Sequence, residues 1–140
     1  MEFDKTTQDA LKLIHEGNHI IFREVGRVCE KYHLNYFLDS GNLIGAVREK
    51  SDIPWDDDAD IAMTRKDFEV FRKVARTELK DGFVYVEPDE LNGAFYDFVP
   101  RVVMLDSTMR ENNAEQKYYG NGIHNHMRTD IFIVDDVSDN

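Results

Sequence analysis

Five aspartates fall within nine residues of the chain, Asp52, Asp56, Asp57, Asp58 and Asp60, with Ile53-Pro54-Trp55 on one side and Ile61-Ala62-Met63 on the other. Carboxylates this close repel one another, at a cost in free energy unless solvent or a cation offsets it. A solvated acidic loop is one outcome of such a run. The apolar brackets favour another, in which the end of the run is anchored in a folded core. From Asp58 to Met63 polar and apolar residues alternate with the period of a half-buried strand. That period puts Asp58 and Asp60 on one face, about 7 Å apart, and turns Ala59 and Ile61 to the core. Two carboxylates converging from one face suit a divalent metal pair, and oxygen-only ligands select Mg²⁺ or Mn²⁺ over zinc or copper. An EF-hand starting at Asp56 would need glycine and glutamate where the chain has Ile61 and Asp67, so that reading fails. A glycosyltransferase-type Asp-x-Asp normally follows an apolar strand, whereas the apolar residues here lie between and after the aspartates.

The elements around this run can be read from periodicity. Leu11, Ile14, Ile21, Val25, Val28 and Tyr32 recur at helical spacing, which predicts a helix over 4–31, with a kink or break at Gly17-Asn18. A short strand is expected over 36–38, a polar turn over 39–42 and a short helix over 43–48. Pro54 ends whatever precedes it. The strand over 58–63 leads into Thr64, a good N-cap with Asp67 three residues on, and into a helix with Phe68, Phe71, Val74, Ala75 and Leu79 on one stripe. Strands are expected over 83–86, 95–99, 102–105 and 130–134, and a polar loop over 109–122. This order predicts an α+β domain around a mixed sheet flanked by helices, with residues 1–140 forming one domain.

Charge narrows the partners. The 140 residues carry 17 basic and 28 acidic side chains, a net charge of -11 and a pI near 4.8. Such a chain repels phosphate backbones and anionic lipid surfaces, which argues against nucleic acid and membrane binding. The single cysteine, Cys29, forms no intrachain disulfide and falls on the buried stripe of the first helix, where it reads as a core residue. No apolar run is long enough to span a bilayer and no signal peptide opens the chain, so a soluble cytoplasmic protein is expected.

Three further features bear on the acidic run. Ser40-Gly41-Asn42-Leu43-Ile44-Gly45 is a strand-to-helix turn in which Gly41 would let a phosphate approach the backbone amides; an ordinary turn has the same composition. Arg48 follows as a phosphate clamp or a surface arginine. Asp130 opens an apolar strand and would supply a third carboxylate, or lie at a strand edge in water, as Asp135 and Asp136 are expected to do. The histidines of His124-Asn125-His126 lack the downstream partner that a metal site needs.

Taken together, residues 36–48 (YFLDSGNLIGAVR) and 53–63 (IPWDDDADIAM) resemble the LicD family, as do Arg65-Lys66-Asp67-Phe68 and Thr129-Asp130-Ile131-Phe132. The similarity runs from the Cys29 region to about Asp136. The resemblance implies a nucleotidyltransferase-like fold and transfer of a phospho-alcohol, such as phosphocholine, from a CDP-linked donor to a glycan or other hydroxyl acceptor. It places Asp58 and Asp60 on the family's metal-binding pair and Asp130 on its third carboxylate. Gly41 falls on the glycine of the phosphate-binding turn and Arg48 on the arginine that ends the motif. Asn42 stands where the family usually has Thr or Ser, and Ala59 where it usually has Ile. Family members generally continue well beyond the Asp-Ile-Phe strand, which implies that a C-terminal portion is lacking here.

The first reading is therefore a phosphotransferase in which Asp58, Asp60 and Asp130 hold Mg²⁺ or Mn²⁺ and Gly41, Asn42 and Arg48 meet the phosphates. Two others stay open: a non-catalytic LicD-like binding module, and a small nucleotidyltransferase using an NTP.

Overall fold

The computed structural model describes residues 4–88, 90, 98–107 and 126–137. Helix α1 spans Lys5–Lys31, and the Asp4 side chain caps it by accepting from the Thr7 N–H. It runs unbroken through Gly17 and Asn18, so the chain does not break there. The glycine there serves packing: a Cβ on Gly17 would lie 2.4 Å from Met127 Sδ, so its absence lets the helix lie close to the sheet.

Strand β1 (Phe37–Leu38) is followed by α2 (Ser40–Ile44) and a π-helical turn, Gly45–Glu49. The helix thus begins at Ser40, inside the stretch expected to be a polar turn, because Asp39 caps it by accepting from the Ser40 N–H. Strand β2 (Asp60–Thr64) starts at Asp60, so Asp58 and Ala59 precede it. Helix α3 (Arg65–Glu78) carries the predicted cap, with the Thr64 hydroxyl accepting from the Asp67 N–H. Strands β3 (Phe83–Val86), β4 (Arg101–Met104) and β5 (Met127–Val134) complete the described elements. The strand expected over 95–99 and the loop over 109–122 lie largely or wholly outside the described residues, and Phe98 and Val99 form a bend.

The five strands make one sheet in the order β1-β2-β5-β4-β3. Strands β2 and β5 are parallel and the other pairs antiparallel, so the sheet is mixed and the fold is α+β, as the sequence predicts. One face carries Ile61, Met63, Tyr85, Val102 and Ile131 and packs on Ile21, Val25 and Val28 of α1 and on Phe68, Phe71 and Ala75 of α3. Strand alternation sends the neighbouring side chains to the opposite face: Asp60, Asp130 and Arg101, and further along, Val103 and Val86. No helix among the described residues is long and apolar enough to cross a membrane.

Candidate functional site

Sheet register builds the centre of the site. The parallel pairing of β2 and β5 sets Asp60 opposite Asp130, and the antiparallel pairing of β5 and β4 sets Arg101 opposite Asp130. Three adjacent strands thus carry Asp60, Asp130 and Arg101 in one row. The Asp130 backbone is fixed where its N–H donates to Ala59 O at 2.8 Å, and Asp60 O accepts from the Asp39 N–H at 3.0 Å. Arg101 is 2% exposed, with its Nε 2.9 Å from Asp130 Oδ1 and its Nη2 donating to Oδ2 at 3.3 Å. The ion pair offsets the carboxylate's charge, and the Nη2 hydrogen bond helps to orient it. Sequence reasoning missed Arg101. The available signal was an arginine at the head of an otherwise apolar run, Val102-Val103-Met104, after Pro100.

The carboxylates are held under electrostatic pressure. Burial pushes Asp60 up to about 6, with Asp130, Asp58 and Asp56 adding repulsion, while a hydrogen bond from Ser40 pulls the other way. Asp58 is also raised, by burial first and then by Asp57 and Asp56, with Arg128 opposing. Ser40 reaches Asp60 from a left-handed backbone conformation, φ 49°, unusual for a residue with a side chain. Desolvated, mutually repelling oxygen donors are what a hard divalent cation would neutralise, so the chemistry of the residues present fits Mg²⁺ or Mn²⁺.

Just before β2 the acidic run folds into a loop. Side-chain oxygens of Asp56, Asp57 and Asp58 lie within 4.8 Å of one another, a trio that reasoning from strand alternation did not anticipate. Three residues of α1 at helical spacing hold this loop. His15 Nε2 meets Asp56 O at 2.6 Å, Asn18 Nδ2 donates to Asp57 O and Asp58 O at 3.3 Å each, and His19 Nε2 pairs with Asp52 Oδ2 at 2.9 Å. A carbonyl only accepts, so His15 carries its proton on Nε2 in this contact.

The glycine turn meets the loop directly. A Cβ on Gly41 would lie 1.8 Å from Asp56 Oδ2, so this glycine makes room for the Asp56 carboxylate. The same carboxylate accepts from the Asp58 N–H at 3.3 Å. The Asn42 side chain is turned to the backbone of the aspartates: Oδ1 accepts from the Asp60 N–H at 2.7 Å and Nδ2 donates to Asp58 O at 3.4 Å. Arg48 is exposed on the π-helical turn and pairs with its neighbour Glu49 at 2.6 Å. Asp58, Asp60, Asp130, Gly41 and Asn42 are thus joined through the β2 backbone, the sheet register and the Asp56 contact, whereas Arg48 is engaged elsewhere. A cleft of about 560 Å³ opens on the helical side of the sheet, lined by His19 and Phe22 of α1, Leu38 of β1, and Asn42, Ala46 and Asp52.

Several other residues behave as the sequence suggests. Cys29 is buried and its thiol is pushed up to about 12, chiefly by burial, so it is inert. Asp135 is exposed and pairs with Arg65 at 2.7 Å. His124 lies outside the described residues, and His126 Nδ1 donates to Ser107 O.

Comparisons with known proteins identify the family of the chain. The LicD family model, described as LicD/FKTN/FKRP, nucleotidyltransferase domain, matches residues 33–137. A lipopolysaccharide cholinephosphotransferase LicD of Haemophilus influenzae is 50% identical over 44 residues, which are 31% of this chain and 17% of that protein. Uncharacterized proteins of Rickettsia typhi and Rickettsia prowazekii are 33% identical over 54 residues and 36% identical over 47, covering 39% and 34% of this chain and 18% of each relative. The matched stretches are therefore a minor part of the relatives' own length. With the family's model spanning the sheet, the glycine turn and all three site carboxylates, the chain belongs to the LicD family.

Proposed function

We propose that the chain is a metal-dependent phosphotransferase that moves a phospho-alcohol, phosphocholine being the leading candidate, from a CDP-linked donor to a hydroxyl of a glycan or similar acceptor. The observation that carries this reading is the in-register pair Asp60 and Asp130 on the sheet face opposite α1 and α3, with Asp58 in the loop two residues before Asp60. The likeness to a cholinephosphotransferase supports the choice of transferred group.

Asp58, Asp60 and Asp130 would hold Mg²⁺ or Mn²⁺, which when bound supplies positive charge to the donor diphosphate. The chain's own residues do the rest. Arg101 keeps Asp130 beside Asp60. The acceptor hydroxyl attacks the phosphorus that carries the alcohol, a new P–O bond forms, and the bond to CMP breaks with its electron pair leaving on the CMP oxygen. Asp130 is the group assigned to take the hydroxyl proton. Gly41 and Arg48 are assigned to the donor phosphates, for which Arg48 exchanges its Glu49 partner for phosphate.

Calorimetric titration with CDP-choline, CDP-ribitol, CDP-glycerol and CTP, with and without Mg²⁺ or Mn²⁺, tests this, with Asp58→Asn as control. Metal-dependent binding of one CDP-alcohol that is lost in the variant is expected. Binding of CTP alone would favour nucleotidyl transfer, and binding without turnover of any CDP-alcohol would favour a non-catalytic module.

A further inference from the structure

We infer that Asn18 of α1 and Asn42 of α2 are positioning residues for the paired aspartates. On this assignment the N-terminal helix, which precedes the family-matched residues 33–137, is a working part of the site. This rests on the reading of Asp58 and Asp60 as metal ligands.

The Asn42 amide touches the two peptide groups that flank Ala59. It donates to Asp58 O on one side and accepts from the Asp60 N–H on the other. Ala59 itself is buried, and its carbonyl accepts from the Asp130 N–H. One side chain therefore fixes the backbone between Asp58 and Asp60, and the residue between them is tied to the third carboxylate.

Asn18 works from the other side. It is 3% exposed, and its Nδ2 donates to Asp57 O and Asp58 O. The Asp58 carbonyl is thus gripped by two amides from two different helices. With His15 on Asp56 O, three successive carbonyls of the loop are committed to helix side chains. The carboxylates are left to gather, and those of Asp56, Asp57 and Asp58 do so against their mutual repulsion. A loop held only at its ends would relieve that repulsion by spreading. Partners one step removed from a metal typically set its affinity by 10–100-fold.

The test is titration of Mn²⁺ into wild type, Asn18→Ala and Asn42→Ala, with far-UV circular dichroism and thermal melts of each metal-free protein. Each change is expected to weaken Mn²⁺ binding by about tenfold in a chain that is still folded. Asn42 is only half-buried, so Asn42→Ala decides the matter if Asn18→Ala does not fold. Folded variants with lowered melting temperatures but wild-type Mn²⁺ affinity would overturn the inference, because a purely structural role predicts that result. Failure of the wild type to bind Mn²⁺ would instead overturn the metal reading on which the inference stands.

Discussion

At Asp60 the proposed role as a metal ligand and the stability of the fold oppose each other. Its carboxyl is pushed up to about 6 from an ordinary value of 3.8, by burial first and by Asp130 and Asp58 after it. Between those two values the metal-free native state holds a proton that the unfolded chain has lost, so stability falls as pH rises from about 4 to about 6. Above that window the destabilisation is fully present, on the order of 3 kcal/mol at most. Asp60→Asn removes it, so in chelator the variant is expected to melt above wild type at pH 7. The difference should shrink at about pH 4.5, where wild-type Asp60 is protonated; an equal difference at both values would show that Asp60 is not the strained group. Arg101 acts in the opposite sense. Its buried guanidinium offsets Asp130, so Arg101→Met is expected to cost about 3–5 kcal/mol in urea denaturation. Arg101→Met with Asp130→Leu should recover most of that loss, because replacing both partners removes the uncompensated charge.

At the scale of elements, α1 is the part whose removal is most informative. Ile21, Val25 and Val28 are each 0% exposed and face the sheet. At about 1.5–3 kcal/mol for each buried aliphatic side chain, their loss is comparable to the whole net stability of a domain, about 5–15 kcal/mol. A chain reduced to the family-matched residues 33–137 is therefore expected to show no cooperative melt by circular dichroism, whereas residues 1–140 do. How far each element could be read in advance follows from where its determinants lie. Helix α3 was legible from its first residue because Thr64, Asp67 and the Phe68-Phe71-Ala75 stripe are local signals. Strand β5 was expected from Asp130, yet it starts at Met127, since pairing with Met104 and Val103 on β4 extends it through residues with no apolar run of their own. The same holds at the site. Asp58 and Asp60 stand out within one short stretch, but Asp60 meets Asp130 only through a parallel register, and Arg101 joins them only through a third strand. The close approach of α1 to the sheet at Gly17 likewise involves Met127, far away in sequence.

The whole molecule carries a net charge of -11, and among the described residues the carboxylates of Asp56, Asp57 and Asp58 crowd together in the loop before β2, beside the sheet edge that β1 forms. Any salt relieves general repulsion by screening, while a bound divalent ion adds stability by mass action, so the two effects can be separated. In about 10 mM MgCl₂ the chain should melt several degrees above its value in about 30 mM NaCl, which has the same ionic strength. A site half-filled near 0.1 mM would account for about 2.7 kcal/mol of that gain. The Asp58→Asn, Asp60→Asn double variant should melt alike in the two salts while keeping the common response to screening. If wild type also melts alike in both, the acidic edge is only a charged surface relieved by counterions, and the carboxylates do not form an ion site. The comparison needs no substrate, and it separates the property of the whole charged molecule from that of the few residues whose carboxylates the fold brings together.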